Sequence, residues 1–139
     1  MAEQNNLSIS NEEMENVMID REFATKWCND LKCAWERCDF QKICDIFGDT
    51  SEYYEDPFAT PGRSADDILG FWEEIKYQRV SKLKLKPIAI DEKRLIVRWF
   101  LDYTDVRDDS SVIMDGIYQV DFNEFKRCIR FTQWWVIKE

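Results

Sequence analysis

Between Arg21 and Cys38 the apolar residues Phe23, Trp27, Leu31, Trp35 and Cys38 recur at steps of three and four, with Cys28 and Ala34 beside them. That spacing lays one apolar stripe along a long amphipathic helix. Asp39 suits the N-cap of a second, shorter helix that turns Phe40, Ile43, Cys44 and Phe47 inward and stops at Gly48. The run Tyr53-Tyr54-Glu55-Asp56-Pro57 reads as a short extended segment, because proline drives the residue before it out of the helical region. Ser64-Ala65-Asp66-Asp67 has capping-box spacing and opens a third helix that buries Ile68, Phe71, Trp72 and Ile75.

After Tyr77 the period shortens from 3.6 to 2, which predicts four long strands near residues 80–91, 94–106, 112–122 and 126–138. Pro87 marks the first of them as an edge strand or the site of a bulge. The predicted class is α+β, with three N-terminal helices packed on one face of a curved antiparallel sheet. Alternation gives each strand two faces. One collects Leu95, Val97, Trp99, Leu101 and Tyr103, then Met114, Gly116, Tyr118, Val120 and Phe122, then Ile129, Phe131, Gln133, Trp135 and Ile137. Nearly all are apolar, so this face is the one the helices cover, and Gln133 with the Tyr118 hydroxyl are its informative polar exceptions. The opposite face mixes Ile96, Phe100, Ile117 and Trp134 with Arg98, Asp102, Asp115 and Asp121. It is too apolar for bulk water and too charged for a core, which predicts a homodimer through this outer face.

Composition narrows the chemistry. The 139 residues suit one domain, expected over residues 21–139, behind an acidic, partly disordered tail at 1–20 in which Met14, Val17 and Met18 could form one docked helical turn. A net charge of −9 argues against nucleic acid and anionic membranes as partners. The absence of histidine removes imidazole nucleophile pairs, metal ligands and acid/base groups. Five cysteines at these spacings read as small hydrophobes in a reducing compartment, so a cytoplasmic location is expected. Neither a metal nor another cofactor is expected. Asp105, Asp108 and Asp109 read as a solvated hairpin turn, and Lys82, Lys84 and Lys86 as partners of Asp102, Asp115 and Asp121 across the sheet or dimer.

The order of elements resembles the nuclear transport factor 2-like superfamily, and within it the SnoaL-like polyketide-cyclase and ketosteroid-isomerase group. The resemblance spans residues 21–138. It is carried by Trp35-Glu36-Arg37-Cys38-Asp39, Tyr54-Glu55-Asp56-Pro57, Gly62, and Ile68 through Phe71-Trp72. Further carriers are Val97-Arg98-Trp99, Asp115-Gly116-Ile117-Tyr118 and Phe131-Thr132-Gln133-Trp134-Trp135. It implies a cone-shaped, cystatin-like fold around an apolar pocket for a small apolar or aromatic molecule, in many members within a dimer.

Ketosteroid isomerase works with an Asp base opposite an oxyanion hole made of a Tyr and a protonated Asp. By the resemblance, the base falls on Asp56, the oxyanion Tyr on Leu31 and the oxyanion Asp on Tyr118, so one donor is lost and the other becomes a phenol. The implied chemistry is cofactor-independent acid/base catalysis (isomerase, cyclase or related) on a carbonyl compound. Asp56 and Tyr118 are its candidate catalytic residues, and Tyr54, Trp72, Trp99, Gln133, Trp135 and Leu31 its candidate ligand contacts. Asp56 also fits a carboxylate that caps the turn before Pro57. The inward tryptophans fit either a pocket lining or a filled cone, and the filled cone would leave a non-catalytic ligand-binding or protein-interaction module.

Overall fold

The computed structural model describes residues 18–139, so Met14 and Val17 of the expected docked turn lie outside the described residues. Met18 is exposed, and Ile19 beside it is buried and donates its N–H to the Glu92 carbonyl at 3.0 Å. Helix α1 (Arg21–Glu36) starts where the Asp20 carboxylate accepts the Phe23 N–H, and the predicted stripe places Ala24, Trp27, Cys28, Leu31, Ala34 and Trp35 in the core. Helix α2 (Phe40–Ile46) is capped by Asp39 and buries Ile43 and Ile46. Helix α3 (Ala65–Trp72) is capped by Ser64, which accepts the Asp67 N–H, and runs on into a 3-10 turn over Glu73–Tyr77. Three polar side chains therefore satisfy amides that the helix ends would otherwise leave open.

The strands are β1 (Glu52–Tyr54), β2 (Gln78–Asp91), β3 (Arg94–Asp105), β4 (Ser110–Phe122) and β5 (Cys128–Ile137). Their order across the sheet is β1-β5-β4-β3-β2, with β2 to β5 antiparallel. The expected four-stranded antiparallel sheet is corrected in one respect: the short extended segment joins it as a fifth strand, parallel to β5, with Tyr53 opposite Phe131. Three residues carry too little pattern to specify a partner 78 positions away. Register shifts at Val80/Lys82 and Pro87/Ala89 in β2, the second beside the predicted proline, bend this edge strand.

A further shift at Asp121/Phe122 sets Phe122 opposite Cys128. It reverses the alternation there, so Cys128 is buried and Ile129, assigned to the inner face by sequence, is exposed. Ile137, at the far end of β5, is also exposed. The lysine stripe of β2 forms no ion pair among the described residues. Asp115 pairs instead with Arg98 at 2.7 Å and Asp121 with Arg94 at 2.7 Å, because Arg94 on the adjacent strand lies directly opposite Asp121 and Arg98, opposite Ile117, reaches Asp115 diagonally. In the β3–β4 hairpin the hydrogen-bonded Arg107 side chain lowers Asp105 to about 2, and Asp108 caps the Ser110 N–H. The thiols of Cys28 and Cys128 are pushed up to about 12, chiefly by burial, and are poor nucleophiles for that reason.

Aromatic rings fill the space between helices and sheet. Trp27 packs edge-on against Phe47 and Phe122, Trp35 edge-on against Trp72 at 5.1 Å, and Trp99 stacks on Tyr118 at 5.2 Å. Trp99 lies flat because β4 has glycine beneath it: a Cβ at Gly116 would sit 2.6 Å from Trp99 Nε1 and collide with the Trp134 carbonyl. Gly116→Ala is therefore expected to lower stability by about 1–3 kcal/mol, the usual range for overpacking. Gly70→Ala, on an exposed helix position with nothing near its would-be Cβ, is expected to raise it by about 0.5–1 kcal/mol. Urea unfolding of both variants checks the pair, and equal midpoints would remove the packing argument.

Candidate functional site

Alternation in β1 decides what the site contains. Tyr53 points into the cone, fully buried and stacked on Phe131 at 4.6 Å and on Phe71 at 5.5 Å. One period further on, Glu55 points the same way. It joins Tyr53, Trp72, Trp99, Tyr118 and Gln133 around a partly open cavity of about 220 Å³, lined elsewhere by apolar residues such as Phe71, Leu101 and Met114 and by Glu74 and Gln78. Gln133 Nε2 donates to Glu55 Oε2 at 3.4 Å, and the Trp135 indole N–H donates to the Glu55 carbonyl at 3.3 Å. Strand β5 therefore holds this residue by both side chain and backbone.

The sequence expectation places Tyr54 and Asp56 here, and the structure places them one residue out of phase. The Tyr54 hydroxyl donates to Glu52 at 2.6 Å, and its ring lies under the Arg130 guanidinium on the outer side of β1. Asp56 Oδ1 accepts the Phe58 N–H at 2.8 Å and its carbonyl accepts the Ala59 N–H, which is the turn-capping geometry. Asp56 borders the outer surface rather than the cavity. Leu31 is fully buried in the core and does not line the cavity either. Trp135 is 43% exposed, because β5 runs past the edge of the helical layer before reaching it. Trp72, Trp99, Tyr118 and Gln133 are brought together as expected. Glu55 and Tyr53 are the residues the sequence reading passed over. Their signal was the two-residue step between them, masked by the adjacent Tyr53-Tyr54 pair, which offers an aromatic ring to either face.

Glu55 is the chemically distinctive group. Burial raises its pKa first, and the neighbouring Asp56 charge raises it further. The other carboxylate at the cavity, Glu74, is tied to Arg107 at 2.9 Å. Burial lifts the phenols of Tyr53 and Tyr118 well above their ordinary range, and the Glu55 charge adds to both shifts, so the phenols stay protonated as hydrogen-bond donors. Among the described residues the buried Trp99 indole N–H has no hydrogen-bond partner and that of Trp72 is turned toward the Tyr53 phenol, whereas Trp35 Nε1 donates to Gln78 at 2.8 Å. Among the described residues no cluster of His, Cys, Asp or Glu is gathered to hold a metal ion. The arrangement can accept a proton at Glu55 and donate a hydrogen bond from Tyr118 across the same small space.

A second, open hollow of about 730 Å³ lies on the outer face, lined by Phe58, Ile88, Arg98, Ile117, Trp134 and Val136 among others. Phe58 is 98% exposed and Val136 68% exposed.

By sequence alone, no family model and no curated protein matches the chain. Its fold does match solved structures. A nuclear transport factor 2-like protein of unknown function from Burkholderia pseudomallei K96243 superposes with a TM-score of 0.63 at 13% identity, over 82% of this chain and 91% of that one. This chain has the nuclear transport factor 2-like fold. Within that fold the similar structures include SalBIII, an epoxide hydrolase/cyclase-like enzyme in pyran-ring formation of the polyether salinomycin (TM-score 0.63, 9% identity, 84% of this chain and 89% of that one). They also include a SnoaL-like polyketide cyclase from Shewanella denitrificans OS-217 (TM-score 0.59, 11% identity, 84% and 89%). Among the described residues no helix is long and apolar enough to cross a membrane.

The raised Glu55 pKa has a consequence for stability. The folded state binds the Glu55 proton more tightly than the unfolded state, so this residue costs stability as pH rises from its ordinary value of about 4.3 through its raised folded value. Glu55→Gln removes that cost. Its melting temperature relative to the parent is expected to increase between about pH 4 and neutrality and then level off. A difference independent of pH would show that Glu55 ionises as freely as in water.

Proposed function

We propose that the protein binds a compact carbonyl compound in the inner cavity and moves a proton on it, with Glu55 as the base. The observation that carries this reading is a carboxylate with a raised proton affinity, held by Gln133 and Trp135, at a cavity that Tyr118 also lines. Raised carboxylate pKa values bring a general base closer to the working pH. In the step, the Glu55 carboxylate takes a proton from the α-carbon of a β,γ-unsaturated carbonyl compound. The electron pair moves onto the carbonyl oxygen, giving a dienolate, the Tyr118 hydroxyl donates a hydrogen bond to that oxygen, and the same proton returns to the γ-carbon as the double bond shifts into conjugation and the carbonyl re-forms. The reaction is an isomerisation and consumes no oxidant or co-reactant. A volume of about 220 Å³ lies below the roughly 300–1,000 Å³ of drug-sized sites, so the ligand is a molecule of one or two rings. The likeness in fold to a SnoaL-like cyclase and a cyclase-like enzyme is compatible with cofactor-independent chemistry on this scaffold.

The same fold also suits a module that binds a ligand without turning it over. The close packing of Trp35, Trp72 and Phe47, which takes up much of the cone, favours that second reading. The two separate on one experiment. In D2O a positioned base exchanges the α-protons of a ketone probe such as 2-tetralone, which NMR follows directly. Exchange above buffer is expected for the parent, a fall of about 10²-fold or more for Glu55→Gln, and little change for Asp56→Asn. Equal rates for parent and Glu55→Gln would overturn the catalytic reading.

We further propose that a second copy of the chain covers the outer face. Trp134, Val136, Ile88 and Phe58 supply exposed apolar area there, and Arg98 beside Asp115 forms a self-complementary charge pair of the kind a two-fold contact can share between copies. Sedimentation of the parent is expected to give a dimer and Trp134→Glu a monomer. A parent that stays monomeric at high concentration would remove this proposal.

A further inference from the structure

The inner cavity carries charge of one sign. Two carboxylates reach it, Glu55 and Glu74, and among the described residues no lysine or arginine lines it. Glu74 is answered by Arg107 at 2.9 Å. Glu55 is not. Its side chain is half-buried, its carboxylate meets only the neutral amide of Gln133, and it forms no ion pair among the described residues. A carboxylate drawn partly out of water without a cation is costly, and a positive group placed beside it offsets that cost.

The rest of the wall favours the same kind of guest. Six aromatic side chains line the cavity: Trp35, Tyr53, Phe71, Trp72, Trp99 and Tyr118. Aromatic rings attract cations through their quadrupoles, and cages of several rings are the usual hosts of substituted ammonium groups. A neutral apolar guest uses the rings but leaves Glu55 unanswered, and an anionic guest is repelled by it. At long range the net charge of −9 draws cations toward the chain. A volume of about 220 Å³ has room for one ring carrying such a group.

We propose that the ligand of the inner cavity carries a substituted ammonium group, held by Glu55 and the surrounding rings. This rests on the reading of that cavity as the binding site. It also suits the proton transfer, because a cation beside Glu55 keeps it as the carboxylate, the form that accepts a proton.

Two probes of one shape test this: 3-acetyl-N,N,N-trimethylanilinium and its neutral counterpart 3-tert-butylacetophenone. Each is titrated into the full chain in about 0.15 M salt, where the Debye length is about 8 Å, and tryptophan fluorescence reads the binding. The cation is expected to bind about tenfold or more tightly than the neutral probe. Glu55→Gln should cut that preference to about threefold or less. Asp56→Asn makes the same change of charge one residue along, outside the cavity, and should leave the preference intact. Equal or tighter binding of the neutral probe would overturn the proposal while keeping the cavity as a binding site. An equal loss of preference in the two variants would also overturn it, by assigning the preference to the overall charge of the chain. A response to neither probe would remove the cavity reading, and this proposal with it.

Discussion

Everything at the site hangs on how the Phe131 ring is held. It is fully buried near the middle of β5 and touches three elements at once: Phe47 after α2 at 5.2 Å, Tyr53 of β1 at 4.6 Å and Tyr118 of β4 at 4.7 Å. These contacts fix the phase of β1 against the sheet. A three-residue parallel strand has few hydrogen bonds of its own, and the stacked Tyr53–Phe131 pair decides which of its faces looks inward. Once Tyr53 is inside, Glu55 must be inside as well, and Tyr118 is pressed against the same ring. Glu55 and Tyr118 are thus both positioned by one apolar side chain, which itself carries no polar group.

Much of this was legible in the sequence. The helical stripe from Phe23 to Trp35, the caps at Asp39 and Ser64, and the long strands all follow from local periodicity and from side chains that bond their own neighbours. The inner faces of β3 and β4 follow as well, since a strand of a dozen residues repeats its alternation often enough to be unambiguous. The misplaced residues share a physical cause. Tyr54 ends, and Asp56 follows, a strand too short to show its own phase, with aromatic residues on both sides of it. Ile129 sits where a bulge reverses the alternation, and Trp135 lies on the correct parity but past the end of the layer that would cover it. Tertiary registration decides all of these.

The electrostatics divide along the sheet. On the outer face, charges meet at the surface, Arg94 with Asp121 and Arg98 with Asp115, in water that screens them. On the inner face, Glu55 lies among aromatic rings, and burial rather than a cation sets its proton affinity. With no histidine in the chain, a carboxylate displaced upward by its surroundings is an available route to a base nearer neutral pH.

The loop after β1 is closed at its root. Tyr53 and Gly62 exchange two backbone hydrogen bonds, at 2.9 and 2.8 Å, and the glycine's missing side chain leaves room for Phe71, whose ring would stand 2.7 Å from a Cβ there. Residues 54–61 therefore form a loop pinned at both ends, with Glu55 near its start and the exposed Phe58 at its middle. The entropy of closing such a loop grows only slowly with its length, by about 0.6 kcal/mol per doubling. Residues could be inserted or exchanged beyond Asp56 without disturbing the Tyr53–Gly62 clasp or the sheet behind it. In evolutionary terms this is the part of the chain where the length and outer surface could drift fastest while the fold and the cavity lining stay the same.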